Sequence, residues 1–288
     1  MKPWLRFTVL LIGTTTLDAC GMPNNYRDLA GPRYAEILPI VSPLSRADGD
    51  TLRVVSFNIE FARRVDSAVA VLTSEAALRD ADVVLLQEMD DIGTRRVASA
   101  LGMSYVYYPA FLHTSSGRDF GNAVLSRWPI VADSKLVLPH RSRHRRTYRT
   151  ATAVTIRVND LPVRVYSTHL GTMLDVAPGK RREQLRTILE DAATYPRVVI
   201  GGDLNSGTVA RLARDAGYAW PTEHGPRTSL VGRLDHVLFR GLQAPAKSAS
   251  GTVIDVRRSS DHRPVWAVGI IESPATTALL RTADTDRP

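Results

Sequence analysis

Apolar residues along the chain cluster in short β-branched runs set off by polar turns, and these runs predict strands. They are LRVVSFN (52–58), DVVLLQE (82–88), GNAVLSR (121–127), TAVTIRV (152–158), VRVYSTHL (163–170), RVVIGGD (197–203), LDHVLF (234–239) and RPVWAVGII (263–271). Two segments switch to helical spacing. Residues 67–79 put Val69, Leu72 and Ala76 on one face; residues 178–193 put Leu185, Ile188, Leu189 and Ala192 on one face, with Arg181, Arg182 and Arg186 elsewhere. Pro178 suits a first helical turn. Long stretches in the middle of the chain run from strand to strand with only turn signals between them, which argues against a purely parallel sheet. The pattern predicts an α/β fold of mixed sheets packed on each other with helices outside.

The ends of the chain follow other rules. Residues 1–19 carry Lys2 and Arg6, then an apolar stretch from Phe7 to Ile12, a signature of an export signal and too short for a permanent span of ~20 apolar residues. The only cysteine, Cys20, follows at once in a context resembling the lipobox of bacterial lipoproteins, which predicts an exported protein anchored to the membrane on the periplasmic side through Cys20. Residues 20–50 are rich in proline, glycine and aspartate and read as a tether. The folded domain is expected over 51–272, and 273–288 as a flexible tail.

Composition narrows the picture only where charge is concerned. At 288 residues with 44% hydrophobic and 23% charged residues the chain is of globular type. Its formal charge of +8 is concentrated in HRSRHRRTYRT (140–150), which holds Arg141, Arg143, Arg145, Arg146 and Arg149, so the excess is a local patch.

Polar groups stand at the ends of the predicted strands: Asn58, Glu88, His169, and Asp203 with Asn205 end theirs, while Asp235 and the pair Asp261–His262 precede theirs. In a mixed sheet the start of one strand lies beside the end of its antiparallel neighbour, so these groups are expected on one rim. Four carboxylates cannot share a pocket in ionised form without an offsetting charge, and a hard divalent cation, Mg²⁺ or Mn²⁺, suits oxygen donors. The histidines add groups that titrate near neutrality.

The ordered set FNIE, LLQE, GNAVLSRWPI, STHL, GGDLN, RLDHVL and SDHRP, spanning roughly 52–271, resembles the endonuclease/exonuclease/phosphatase superfamily of metal-dependent phosphoesterases. The resemblance implies a four-layer sandwich with two central mixed sheets and a site at one end. It implies Glu88 as a metal ligand, Asn58 beside it as a metal or phosphate ligand, and Asp261 reaching the metal directly or through water. Asp203 and Asn205 match the pair that activates the attacking water and holds the phosphate, and His262 matches the histidine beside the scissile phosphate, its tautomer fixed by Asp235. His169 matches a histidine that binds the phosphate or protonates the leaving oxygen. Whether Asp203 or the Asp235–His262 pair takes the water's proton stays open at this level.

Substrate class is less constrained. STHL looks more like the secreted nuclease, sphingomyelinase and inositide phosphatase branches than the abasic-site endonucleases. Asn122 is a candidate phosphate contact, Arg149 the arginine expected at the scissile phosphate, and the rest of 140–150 a collar for a polyanion. The leading expectation is a monomeric phosphodiesterase or phosphatase acting on a small or lipid-linked phosphoester. The alternatives are an extracytoplasmic nuclease and a catalytically silent binding module of the same fold.

Overall fold

The computed structural model describes residues 24–39, 51–243, 245 and 249–271. The expected signal peptide (1–19), Cys20 and the tail (273–288) lie outside the described residues. Strands numbered in chain order form two sheets. The larger runs β1 (Tyr34–Glu36), β4 (Ser104–His113), β5 (Arg118–Ser126), β3 (Val83–Met89), β2 (Thr51–Asn58), β12 (Val265–Ile270) and β11 (Ser250–Thr252). The smaller runs β10 (Asp235–Arg240), β9 (Val198–Asp203), β8 (Leu161–His169), β7 (Thr150–Val158) and β6 (Ile130–Val137). The pairs β2–β3 and β8–β9 are parallel and the other pairings antiparallel, so both sheets are mixed.

The continuous apolar runs are explained by burial on both faces. Val54, Leu85 and Val124 from the larger sheet meet Val154, Val165 and Val199 from the smaller one in the central core. Their sequence neighbours Val55, Val84 and Leu125 point the other way, onto Ala68, Val71, Leu72 and Val97 of helices α1 (Val65–Ser74) and α2 (Asp91–Leu101). Ala153, Tyr166 and Ile200 likewise pack on Leu185, Ile188 and Ala213 of α3 (Pro178–Ala192) and α4 (Arg211–Asp215). Helix, sheet, sheet, helix is the four-layer sandwich that the strand pattern and the resemblance predicted.

Three expectations need correction. The helix foreseen over 67–79 ends at Ser74 because Glu75 turns extended, and Leu78, not Ala76, fills the core beyond it. Arg181 lies on the buried face of α3, where its guanidinium donates to the Val176 carbonyl at 2.8 Å. Residues 24–39, foreseen as tether, belong to the fold. Strand β1 pairs with β4, Tyr26 Oη donates to Asp119 at 2.8 Å, Lys135 Nζ donates to the Gly31 carbonyl at 2.6 Å, and Arg33 pairs with Asp133 at 2.7 Å.

Candidate active site

Strand register brings the expected residues into one row. Asp203, last in β9, sits opposite His169 at the end of parallel β8 and opposite Asp235 at the start of antiparallel β10. Gly201 and Gly202 clear the approach. A side chain at Gly202 would put its Cβ 1.8 Å from the Thr168 carbonyl oxygen, and its φ of +148° disfavours any other residue. At Gly201 a Cβ would press on Leu85 of the opposite sheet. The two glycines therefore let β9 run close to both neighbours and deliver Asp203 to the seam between the sheets.

From the larger sheet, β3 interrupts its register with β5 between Leu86 and Met89, and Glu88 adopts a left-handed φ of 59° at that irregularity. A bulge of this kind re-aims a side chain at the rim of a sheet. Its carboxylate is then held by Asn58 Nδ2, which donates to Oε1 at 3.2 Å, and by the Phe61 amide, which donates to Oε2 at 3.1 Å. Asn58 Nδ2 also donates to Asp203 Oδ2 at 3.2 Å, so one carboxamide bridges the acids of the two sheets. Its oxygen is turned away to accept from the Glu60 amide at 3.1 Å. In the metal-free site Asn58 therefore serves as a donor between the two carboxylates.

Two histidines flank Asp203. His169 Nε2 lies 3.4 Å and His262 Nε2 3.7 Å from Asp203 Oδ2. His262 Nδ1 donates to Asp235 Oδ2 at 2.8 Å, while His169 Nδ1 lies 3.3 Å from an Arg149 guanidinium nitrogen and accepts its N–H. Burial and the Arg149 charge hold His169 well below the usual histidine range, so it is neutral. Burial also opposes charge on His262, but the Asp235 carboxylate and its hydrogen bond override it and lift His262 to about 10. Asp203 is pushed up to about 7 by burial and by the nearby charge of Asp235. Burial raises Glu88 as well, against the pull of Arg149.

Four carboxylates, Glu88, Asp203, Asp235 and Asp261, thus face two cations, Arg149 and the protonated His262. Asp235 Oδ1 is buried without a hydrogen-bond partner, and carboxylate oxygens of Asp203 and Asp235 lie within 4.8 Å of each other and of His262, which can ligate only when unprotonated. Excess negative charge, oxygen donors and an orphaned buried carboxylate oxygen fit a hard divalent cation.

The structure therefore brings together Asn58, Glu88, Arg149, His169, Asp203, Asp235 and His262. Asn205, in a left-handed turn (φ 50°), closes the loop after Asp203. Its amide donates to Asp203 Oδ1 at 2.8 Å and its Nδ2 to the Leu170 carbonyl at 2.9 Å. Asp261 lies exposed at the edge of the site, where its charge raises Glu88. Asn122 departs from expectation. It is buried with its Nδ2 donating to the Thr150 carbonyl at 2.8 Å, and its backbone carbonyl accepts from Thr152 Oγ1 at 2.7 Å, so it ties β5 to β7 across the sheets. Of the basic segment, Arg149 is the residue that enters the site, where it contacts His169 Nδ1.

Sequence reasoning missed two hydroxyl residues. Ser260 Oγ donates to the Asn58 carbonyl at 2.7 Å and accepts from the His262 amide at 3.0 Å, and Thr228 Oγ1 accepts from the Asp235 amide at 3.2 Å. Only the adjacency of Ser260 to Asp261–His262 signalled the first; nothing near Thr228 signalled the second. His236, next to Asp235, is a satisfied core residue. It accepts from Trp220 Nε1 at 3.2 Å, donates to the Ser206 carbonyl at 3.1 Å, and is kept neutral by burial.

With this arrangement of fold and site, the chain matches the Endonuclease/Exonuclease/phosphatase family over residues 55–262 and belongs to it. Members of this family are generally phosphoester hydrolases. The fold is shared with an endonuclease/exonuclease/phosphatase from Beutenbergia cavernae (23% identity, TM-score 0.62, covering 78% of this chain and 72% of that one). It is also shared with sphingomyelinase C from Streptomyces griseocarneus (19%, 0.56, 76% and 99%) and with D. rerio TDP2 in complex with a single-strand DNA product (16%, 0.57, 76% and 98%). No curated protein matches the chain in sequence.

Proposed function

We propose that the protein is a divalent-metal-dependent phosphoester hydrolase working as a monomer outside the cytoplasm, held at the membrane through Cys20, on a small or lipid-linked phosphoester. The observation that carries the catalytic reading is the placement of Asp203 between Asn58, His169 and His262, all within 3.7 Å of one carboxylate oxygen. Glu88 and Asp261 are the residues that would hold Mg²⁺ or Mn²⁺. When bound, the ion supplies positive charge against that building on the phosphoryl and leaving oxygens.

The chain's own groups divide the remaining work. Asp203, lifted to about 7, is poised to take a proton from the attacking water at neutral pH. His262, hydrogen-bonded to Asp235 and raised to about 10 in the metal-free chain, is the weaker candidate for that proton. It serves instead as a fixed positive charge beside the phosphate, with Arg149 on the opposite flank and Asn205 setting the Asp203 loop. Neutral His169 presents its Nε2–H toward Asp203 and the phosphoryl position.

A second reading, an extracytoplasmic nuclease, draws on the arginines of 140–150 and on the fold shared with a protein that binds a single-strand DNA product. A panel of phosphomonoesters, phospholipids and nucleic acids, assayed with EDTA and then with added Mg²⁺ or Mn²⁺, tests both. Metal-restored hydrolysis of small or lipid phosphoesters with a shallow salt dependence is the expected result. Hydrolysis confined to DNA or RNA, with affinity falling steeply in salt, would replace the first reading with the second. No turnover on any substrate with either metal would leave a silent binding module.

A further inference from the structure

Among the described residues, the two most exposed large apolar side chains are Leu174 and Leu230, each 91% exposed. Both stand on the catalytic rim. Leu174, with exposed Met173, lies in the turn that follows the end of β8 at His169. Leu230, with exposed Val231, tips the short hairpin closed by the Ser229–Gly232 bridge, five residues before Asp235 begins β10. Neither tip is needed for the fold, since each points into solvent, and an exposed leucine at a loop tip loses free energy to water that a binding partner recovers.

The tips are set in positive charge. Beside Met173 and Leu174 opens a cleft of about 760 Å³ lined by Arg141, Arg143, Arg146 and Lys180. Its walls are fastened together, because the Arg143 amide donates to the Asp175 carbonyl at 3.1 Å and the His144 amide to Asp175 Oδ1 at 3.2 Å. On the other side, exposed Arg227 and Arg233 flank the Leu230 hairpin. Hydrophobic tips rimmed by arginine and lysine match a surface that is anionic outside and apolar beneath. Nucleic acid offers the negative charge, but it admits a leucine only by unstacking bases, a cost that a bilayer interface does not impose.

We infer that the catalytic rim is a docking surface for an anionic phospholipid bilayer, with Leu174 and Leu230 entering the interface and the basic cleft taking lipid phosphates. The inference rests on the proposed reaction only in that it sets the substrate side of the site toward the bilayer. Docking itself is independent of turnover.

The test uses the full-length chain carrying Cys20→Ser, so that no acyl anchor contributes. Partition is measured on vesicles of phosphatidylcholine alone and of phosphatidylcholine with phosphatidylglycerol in equal parts, together with hydrolysis of a small soluble phosphoester. Binding is expected on the anionic vesicles and much weaker on the neutral ones. The pair Leu174→Asp and Leu230→Asp is expected to weaken it roughly tenfold per site while soluble hydrolysis is unchanged. The pair Arg143→Glu and Arg146→Glu is expected to weaken it roughly fivefold per site and flatten its salt dependence. Equal binding to the two vesicle types would overturn the inference. So would leucine variants that bind like the parent, or single-stranded DNA that competes the protein off and binds the leucine variants unchanged. Loss of soluble hydrolysis in the parent chain would count against the proposed reaction, not against docking.

Discussion

The two flanks of Asp203 carry the same side chain in opposite states. His169 and His262 each come within 3.7 Å of its Oδ2, yet one is held neutral and the other protonated. The difference lies in burial and in the far nitrogen: the fully buried His169 accepts an N–H of the Arg149 guanidinium at Nδ1 and has the Glu88 carboxylate only at 3.7 Å, whereas His262 Nδ1 is hydrogen-bonded to the Asp235 carboxylate at 2.8 Å. Residue type therefore sets the range of a histidine, and the neighbour one step further out sets its charge. Asp203 lands near neutrality because burial and the Asp235 charge outweigh the downward pull of the His262 cation.

That contrast breaks most completely at its centre. Asp203→Asn and His262→Ala are each expected to lower kcat by ~10²–10⁴-fold with the fold retained, read by steady-state kinetics and circular dichroism. Asp235→Asn removes the carboxylate from His262 and leaves burial to dominate. His262 should then lose its proton below neutral pH, kcat should fall by roughly a hundredfold or more, and the pH–rate profile should move to lower pH. Arg149→Gln acts on the other flank. It removes one charge-assisted contact, so kcat/KM should fall by about 10–100-fold, and His169 should become easier to protonate.

The smallest effect is on stability. In the metal-free protein Asp203 and His262 both bind protons more tightly folded than unfolded. What Asp203 contributes is full below its ordinary 3.8 and lost as pH rises through about 7; what His262 contributes is full below 6.5 and lost as pH rises through about 10. Metal-free Tm should therefore decline between pH 6.5 and 10, where His262 governs, while below 6.5 the buried neutral His169 and His236 oppose Asp203, so Asp203→Asn should leave the upper decline in place and let Tm rise with pH in the lower window.

Much of this was legible because the site sits at strand ends and the strands buried on both faces are β-branched runs. Asn58, Glu88, His169, Asp203, Asp235 and His262 were found in that way, and the register placed His169, Asp203 and Asp235 in one row. What escaped was non-local or masked. Strand β4 carries Pro109 in mid-run, which reads as a break, yet it sits where the pairing with β5 is irregular and the missing N–H is tolerated. Helix α2 exposes Ile92 and buries Gly93, so its apolar spacing is blurred. Its start is set by Asp90, which accepts from the Gly93 amide at 2.7 Å. Residues 24–39 are held by contacts to positions 66 or more residues away, such as Leu38 to Ser104, Tyr26 to Asp119 and Asn25 to Arg146, which no local pattern reveals. Asn122 was misread because a buried carboxamide between sheets and one facing a phosphate look alike in sequence.

The most direct measurement is a ¹⁵N NMR titration of the histidine rings in the metal-free protein, with His169→Gln and His262→Gln assigning the signals. Opposite charging predicts a His262 ring that stays protonated through neutral pH and titrates near 10, beside a His169 ring that stays neutral well into acid. Two rings titrating together near 6.5 would contradict it.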